Sequence, residues 1–278
     1  MPEGDSVFKL ARRLDRPLKG RTVTRSDLRV PRLATRDLAG RVVLEHATHG
    51  KHLLTRFSGG ATLHTHLLMD GSWSVTGPGK QLPRRLMPDV RIVLATDAGH
   101  TAYGLRLHEM ELVETSREHE LVGHLGPDPL REDWDAEEAV RRLAAEPAVP
   151  LVSALLDQRK VAGWGNLWAN ELAFLLGRSP WTPVGEVDVE RLVALGAKAL
   201  RHSATVEGAY QVTTGIGRKG ESHWVSGRAG RPCLRCGTTV EVVPELPNDP
   251  ANRRTWWCPH CQPGPGPETR VATSVASA

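Results

Sequence analysis

The placement of the cysteines constrains this chain more than any other feature. All four sit near the C-terminal end, as Cys233-Leu-Arg-Cys236 and Cys258-Pro-His-Cys261. Two C-x-x-C pairs put four sulfurs within reach of one tetrahedral ion, and a cytoplasmic chain keeps its thiols reduced. A pair of disulfides or a redox dithiol is the competing reading, and one structural Zn2+ is the expectation. So small a piece has no adequate core of its own, so metal binding should fold it. Trp256 and Trp257 are β-formers beside the second pair, expected to pack around the metal. The stretch Pro244-Glu-Leu-Pro-Asn-Asp-Pro250 reads as a hairpin tip.

The remaining sequence has the makings of a globular protein. Its 278 residues are enough to bury a real core in one large or two to three small domains, and 40% apolar with 24% charged content is ordinary for such chains. No apolar run approaches the length of a bilayer span. The N-terminus lacks the apolar stretch of a signal peptide, so a cytoplasmic protein with no membrane partner is expected. The net charge of +4 suits a polyanionic partner, because Lys and Arg release counterions condensed on phosphates.

Patterning divides the chain. Val7, Leu10, Ala11 and Leu14 fall on one face of a first helix that Asp5 or Ser6 can cap and that Pro17 and Gly20 close. From Arg21 to about Val113, short alternating or apolar runs separated by Gly50, Gly59-Gly60 and Asp97-Ala-Gly99 read as strands of a β-sandwich or barrel. Helical patterns follow over 134–145, 151–157, 166–176 and 187–202. Residues 203–232 are glycine-rich and basic, and 263–278 offer little to bury and read as disordered.

The opening Met1-Pro2-Glu3-Gly4-Asp5 carries potential chemistry. Removal of Met1, which a small second residue permits, leaves Pro2 with a free secondary amine. An α-amino group titrates near ~7.8, against ~10.4 for lysine, so far more of it is neutral at pH 7 and able to form a Schiff base. The positive end of the following helix disfavours its protonated form further. Glu3 beside it is a candidate acid or base. On these residues alone, a proline that merely follows the start codon is the simpler reading.

Several stretches in order change that weighting. Met1-Pro2-Glu3-Gly4, Gly50-Lys51-His-Leu-Leu54, His66-Leu-Leu-Met69-Asp-Gly71-Ser72, Leu125-Gly-Pro-Asp-Pro-Leu130, Leu155 to Glu171 and Gly227 to Gln262 together resemble the formamidopyrimidine-DNA glycosylase and endonuclease VIII family. The opening and spacing are most similar to its actinobacterial endonuclease VIII-like branch. The resemblance implies an α+β multidomain fold: an N-terminal helix plus β-sandwich (1–115, catalytic), a helix-two-turn-helix DNA-binding domain (128–224), a C-terminal zinc-finger β-hairpin (227–262) and a tail (263–278).

It also implies a bifunctional glycosylase and AP lyase of base excision repair that acts on damaged double-stranded DNA, as a bacterial, nucleoid-associated monomer. In that reading Pro2 attacks C1′ of the damaged nucleotide, Glu3 assists proton transfers, and Lys51 reaches the phosphate or lesion from its strand. Asn166 and Arg253 hold phosphates, Met69 fills the gap left by the extruded base, and Cys233, Cys236, Cys258 and Cys261 hold the zinc. Residue by residue, other readings stand beside these: Lys51 as a solvated strand lysine, Asn166 as a helix cap, Met69 as a core methionine, and Arg254 in place of Arg253. The D-P-R-R-F-G motif of the purine-acting branch is absent; the comparable stretch is Ala102-Tyr-Gly-Leu-Arg-Leu107. This favours oxidised pyrimidines over 8-oxoguanine. The segment between Cys236 and Cys258 is longer than the family pattern, and the place of a second family glutamate is taken by Ser6 with Asp5 beside it. A non-catalytic zinc-ribbon DNA-binding protein, and more remotely a ribosome-associated zinc-ribbon factor, would explain the charge, the cysteines and Asn166. Neither explains Pro2-Glu3 or Lys51.

Overall fold

The computed structural model describes residues 2–244 and 253–267, arranged as two compact units. The first comprises residues up to 135 with 161–163 and 200–210; the second comprises 136–160, 164–199 and 211 onward. Of the residues assigned from sequence to the helical domain, 128–135, 161–163 and 200–210 pack with the first unit.

The first unit opens with α1 (Gly4–Leu18). Val7, Leu10, Ala11, Leu14 and Leu18 are buried along one stripe, as their spacing requires. The cap is Glu3, in extended conformation, rather than Asp5 or Ser6. Ser6 lies one turn in, and its Oγ accepts the Glu3 N–H at 3.2 Å. Pro17 sits inside the last turn, and the helix ends one residue beyond it. Eight strands follow: β1 (Val23–Leu28), β2 (Val43–His49), β3 (His52–Phe57), β4 (Ala61–His66), β5 (Ser72–Thr76), β6 (Val90–Thr96), β7 (Thr101–Leu105) and β8 (Glu109–Glu114), then the short α2 (Glu118–Val122). They form two antiparallel sheets, ordered β1-β6-β7-β5 and β2-β3-β4-β8. One apolar cluster joins α1 to the inner faces of both sheets, through Leu53, Phe57 and Leu63 of one and Val23, Ile92 and Leu94 of the other. This is the sandwich that the alternation predicts.

The second unit contains α3 (Ala136–Ala144), α4 (Leu151–Leu156), α5 (Asn166–Leu176), the start of α6 (Val189–Thr205), and a hairpin of β9 (Glu241–Val243) with β10 (Thr255–Trp257). The α5 limits match the sequence reading, closed by Gly177 in the left-handed region (φ +66°). Helix α3 starts later than expected, and α6 starts two residues later and ends three residues later. Phe174 of α5 packs on Val225, Cys233, Val240 and Cys258. The expected hairpin tip beyond Pro244 and the tail beyond 267 lie outside the described residues. Residues 263–267, expected to be disordered, are held: Ser179 Oγ donates to the Pro265 carbonyl at 2.5 Å, so the ordered chain extends further than composition suggests. Among the described residues no helix is long and apolar enough to cross a membrane.

Gly4 tests how tightly the first unit is built. Alanine in a helix normally gains up to ~1 kcal/mol over glycine, but a Cβ here would stand 2.8 Å from the Gly163 Cα. Overlap with backbone outweighs propensity. Gly4→Ala is expected to destabilise by about 1–3 kcal/mol, read as a lower thermal midpoint; a raised midpoint would show that the contact is soft.

Candidate active site and metal centre

The start of α1 is fixed by backbone. The Gly4 N–H donates to the Gly163 carbonyl at 2.9 Å. Glu3 is buried and Pro2 half-buried. Asp5, fully buried, takes the Ser203 hydroxyl at 2.6 Å on one oxygen and the Ser6 N–H at 2.8 Å on the other.

Lys51 reaches the same neighbourhood from another element. It does not lie in a strand, as expected, but in the two-residue turn joining β2 to β3, where His49 pairs with His52. Gly50 adopts φ +56°, and a Cβ there would lie 3.1 Å from both the Ala162 Cβ and the Gly163 N. Only glycine fits comfortably. The Gly50 N–H donates to Asp128 Oδ2 at 2.7 Å, while Asp128 Oδ1 accepts from the Leu130 N–H at 2.8 Å. His49 Nε2 lies 2.9 Å from the Gly126 carbonyl. Burial pushes the Asp128 carboxyl up, against the two amide hydrogen bonds that favour its ionised form. Gly163 therefore contacts the residues next to Pro2-Glu3 and next to Lys51 alike, and Asp128 ties down the Lys51 turn.

Met69 lies in the β4–β5 turn and is 63% exposed, which removes the core reading. Leu68 has φ +50°, the Gly71 N–H closes the turn on the Leu67 carbonyl at 2.8 Å, and a Gly71 Cβ would strike that oxygen.

In the second unit Asn166 is the first residue of α5, and Gly165 is the cap. The Asn166 Nδ2 donates to the Arg254 carbonyl at 2.9 Å. One turn on, Asn170 Nδ2 donates to the Asn166 carbonyl at 2.6 Å and its Oδ1 accepts the Trp256 N–H at 2.8 Å. These amides bring Asn166 together with Arg253 and Arg254. Arg253 is half-buried; Arg254 is exposed, its guanidinium 5.9 Å from the Trp256 ring centre.

The four cysteine sulfurs lie within 4.8 Å of one another. Cys236 and Cys258 Sγ are 3.5 Å apart, Cys233 and Cys261 Sγ 3.9 Å. Ligands ~2.3 Å from a tetrahedral zinc stand about 3.8 Å apart, whereas a disulfide requires ~2.05 Å. The donor set fits a metal and not two disulfides. Trp257 is buried and Trp256 packs against the cysteine cluster, as their position in the hairpin suggests.

Two features escaped the sequence reading. Glu171, fully buried on α5, accepts backbone N–H groups from Trp224, Val225 and Ser226 at 2.8–3.0 Å and the Thr213 hydroxyl, so one carboxylate clasps both ends of the glycine-rich loop. A polar residue at an inward helical position was its only signal. The second is a histidine cluster: His52 Nδ1 and His64 Nε2 are 2.8 Å apart, and the His66 ring centre is 4.7 Å from that of His52. His66 Nδ1 accepts the Leu68 N–H at 3.1 Å, which joins the cluster to the Met69 turn. The alternation His52, His64, His66 along paired strands was visible but unread.

With this geometry in hand, similarity to known proteins is informative. Residues 1–126 match the formamidopyrimidine-DNA glycosylase N-terminal domain and 125–209 the H2TH domain of the same glycosylase. The chain belongs to the formamidopyrimidine-DNA glycosylase and endonuclease VIII family. It is 49% identical over 276 residues to a probable endonuclease 8 2 of Streptomyces coelicolor, covering 99% of each chain. It is 44% identical to the DNA-(apurinic or apyrimidinic site) lyase Nei2 of Mycolicibacterium smegmatis, covering 94% of this chain and 99% of the relative. Among solved structures, MutM (Fpg) of Thermus thermophilus superposes with a TM-score of 0.74 at 31% identity, covering 96% of this chain and 100% of that one. The actinobacterial endonuclease 8 relatives agree with the branch that the opening residues indicate.

Burial and the charge of neighbouring histidines lower the His52 pKa to about 3, and burial lowers that of His64 to about 4. Unfolded histidines bind a proton below ~6.5. The unfolded state therefore gains protons first, so the stability from neutral burial is complete above pH ~6.5 and is lost as pH falls toward 3. The thermal midpoint is expected to drop over that interval. A His52→Gln/His64→Gln double variant should flatten the profile, and an equally steep profile would contradict this origin.

Proposed function

We propose that the chain is a bifunctional DNA glycosylase and AP lyase of base excision repair that excises oxidised bases from duplex DNA through its N-terminal proline. One observation carries the mechanism: Pro2 and Glu3 immediately precede a helix docked on Gly163, the residue that also abuts the Lys51 turn.

With Met1 removed, the neutral Pro2 nitrogen attacks C1′ and the base departs with the C–N bond electrons, taking a proton. Ring opening gives an iminium between Pro2 and the former sugar carbon. The iminium acidifies C2′; loss of that proton expels the 3′ phosphate, and a second elimination expels the 5′ phosphate. Hydrolysis then frees Pro2. Glu3 is buried beside the amine and is assigned the proton transfers at the sugar. Lys51, projecting from a turn whose backbone Asp128 holds, is assigned to phosphate or lesion. Met69, exposed on a tight turn, suits the wedge that replaces an extruded base. Asn166 and Arg253 are assigned to phosphates next to the lesion. For Asn166 this requires exchanging the Arg254 carbonyl for phosphate or holding the arginine segment in place, and both keep it at one point of contact. The absent purine-branch motif and the endonuclease 8 relatives support preference for oxidised pyrimidines. One protein per lesion suffices, so a monomer in the cytoplasm, on the nucleoid, is the simplest functional unit.

The metal is assigned as one Zn2+, held by Cys233, Cys236, Cys258 and Cys261. When bound it would offset half of the thiolates' charge and complete the small core that Trp256 packs against, with no part in bond making. Stripping it with a strong chelator, or the Cys258→Ser substitution, is expected to abolish the near-ultraviolet tryptophan signal of the module and bound zinc together; an unchanged spectrum after complete metal loss would remove the structural role.

Borohydride trapping on an abasic-site duplex tests the chemistry. Wild type is expected to form a covalent adduct, and Pro2→Gly to reduce its rate at least roughly tenfold, about 1.4 kcal/mol of transition-state stabilisation. No adduct with wild type would favour the non-catalytic DNA-binding reading. Thymine glycol cleaved no faster than 8-oxoguanine would overturn the pyrimidine assignment alone.

A further inference from the structure

Many arginines of this protein are neutralised locally. Arg29 pairs with Asp27, Arg56 with Glu118, Arg106 with Asp89, Arg117 with Glu120, Arg131 with Asp133 and Arg159 with Asp157. The outer face of α1 departs from this habit. Lys9, Arg12, Arg13 and Arg16 follow one another at helical spacing, and among the described residues no carboxylate lies within 4 Å of any of them. Their partners are of other kinds: Lys9 stands 5.7 Å from the Tyr210 ring centre, Arg12 5.7 Å from that of Phe8, and Arg13 donates to the Trp73 carbonyl at 3.1 Å. Like charges three and four apart on a helix repel, and among the described residues no short ion pair offsets that cost along the row.

These side chains line a concavity of about 790 Å3, with α1 on one side and the end of α6 with Tyr210 on the other; Glu207 is its one acidic lining residue. Tyr210 is 44% exposed, and its hydroxyl is tethered to Ser6 Oγ at 2.7 Å. The groove starts one helical turn from Glu3 and follows α1 for about 15 Å.

We infer that this groove binds a single-stranded nucleic-acid segment, with the row of cations along its phosphates and Tyr210 as a stacking platform. The charge demands a polyanion, and the aromatic face beside the cations selects among polyanions. A duplex hides its bases, whereas a single strand offers phosphates and exposed base faces together. The inference rests on the DNA-directed reading above and adds a second place on the first unit where a strand is held, apart from the residues assigned to the lesion.

The full-length protein tests it with a fluorescein-labelled, undamaged oligothymidylate, measured by anisotropy over a salt series. Each phosphate contact to a single strand contributes a slope of ~0.7 in log K against log salt. Lys9→Gln/Arg12→Gln/Arg16→Gln is expected to lower the slope by about 2, with Lys9→Gln/Arg12→Gln and Arg16→Gln alone giving graded shares. Thermal melting checks that each variant keeps the fold, and the two lesser variants serve if the triple melts early. Borohydride adduct formation on the abasic duplex at low salt should be unchanged. An unchanged slope would overturn the groove as a nucleic-acid site, and an equal fall with an undamaged duplex would overturn its assignment to a single strand. Loss of the adduct in wild type would instead fault the catalytic reading.

Discussion

The first unit depends on the closeness of three glycines. Gly163 receives the Gly4 N–H through its carbonyl and leaves no room for a Cβ on Gly4 or a comfortable one on Gly50. Its own φ of +96° is open to few residues besides glycine. A hydrogen bond and two backbone contacts at one residue therefore set where a helix begins and where a strand pair turns. Such a junction suits an amine nucleophile. In the proposed mechanism the Pro2 amine has no side chain with which to reach, so its position follows from what Gly4 touches.

Two buried carboxylates do for loops what the glycines do for chain ends. Asp128 takes two backbone N–H groups and Glu171 takes three. Among the described residues neither carboxylate makes a short ion pair with a cation. An ionised carboxylate accepts several amide hydrogens at once and recovers its lost hydration from them. Segments rich in glycine, which bring little apolar surface of their own, are thereby ordered from beneath by a single residue. The half-buried Lys51 and the largely exposed basic stretch from Gly215 to Gly220 can then carry cations, while the backbone beside them is fixed in the interior.

Much of this was legible in the sequence. The α1 stripe, the α5 limits, the strand-rich first half and the metal geometry of the cysteines all follow from short-range periodicity and spacing, which physical rules read directly. The errors share a cause as well. Gly50 marks the turn in the sequence, but its second residue, Lys51, reads as strand because apolar residues follow it directly. Residue preference points to Asp5 or Ser6 as the cap, yet Glu3 holds that place because the helix start is dictated by the contact with Gly163. The tie between Ser179 and Pro265, and that between Asn166 and Arg254, join residues far apart in the chain, and no local pattern announces them. Asp128 and Glu171 lay inside recognised motifs, but a motif does not say which backbone amides a carboxylate will meet.

The candidate groups also share a structural address. Pro2 and Glu3 precede a helix, Lys51 occupies a hairpin turn, Met69 a tight turn, and Asn166 the first position of α5. None interrupts the inward alternation of a strand or the buried stripe of a helix, so the packing that makes the sandwich never competes with the side chains available for chemistry. The consequence is a separation of sensitivities. The exposed Met69 can change with little effect on the core, because its backbone is held by other residues, whereas Glu3, buried in the cap of α1, cannot. The holders, Gly4, Gly50, Gly163 and Asp128, have no such freedom, since each is fixed by a backbone contact that a different side chain would break. Residues that shape the site are thus distinct from residues that act in it, and the former are the glycines and buried carboxylates that a search for reactive groups alone would pass over.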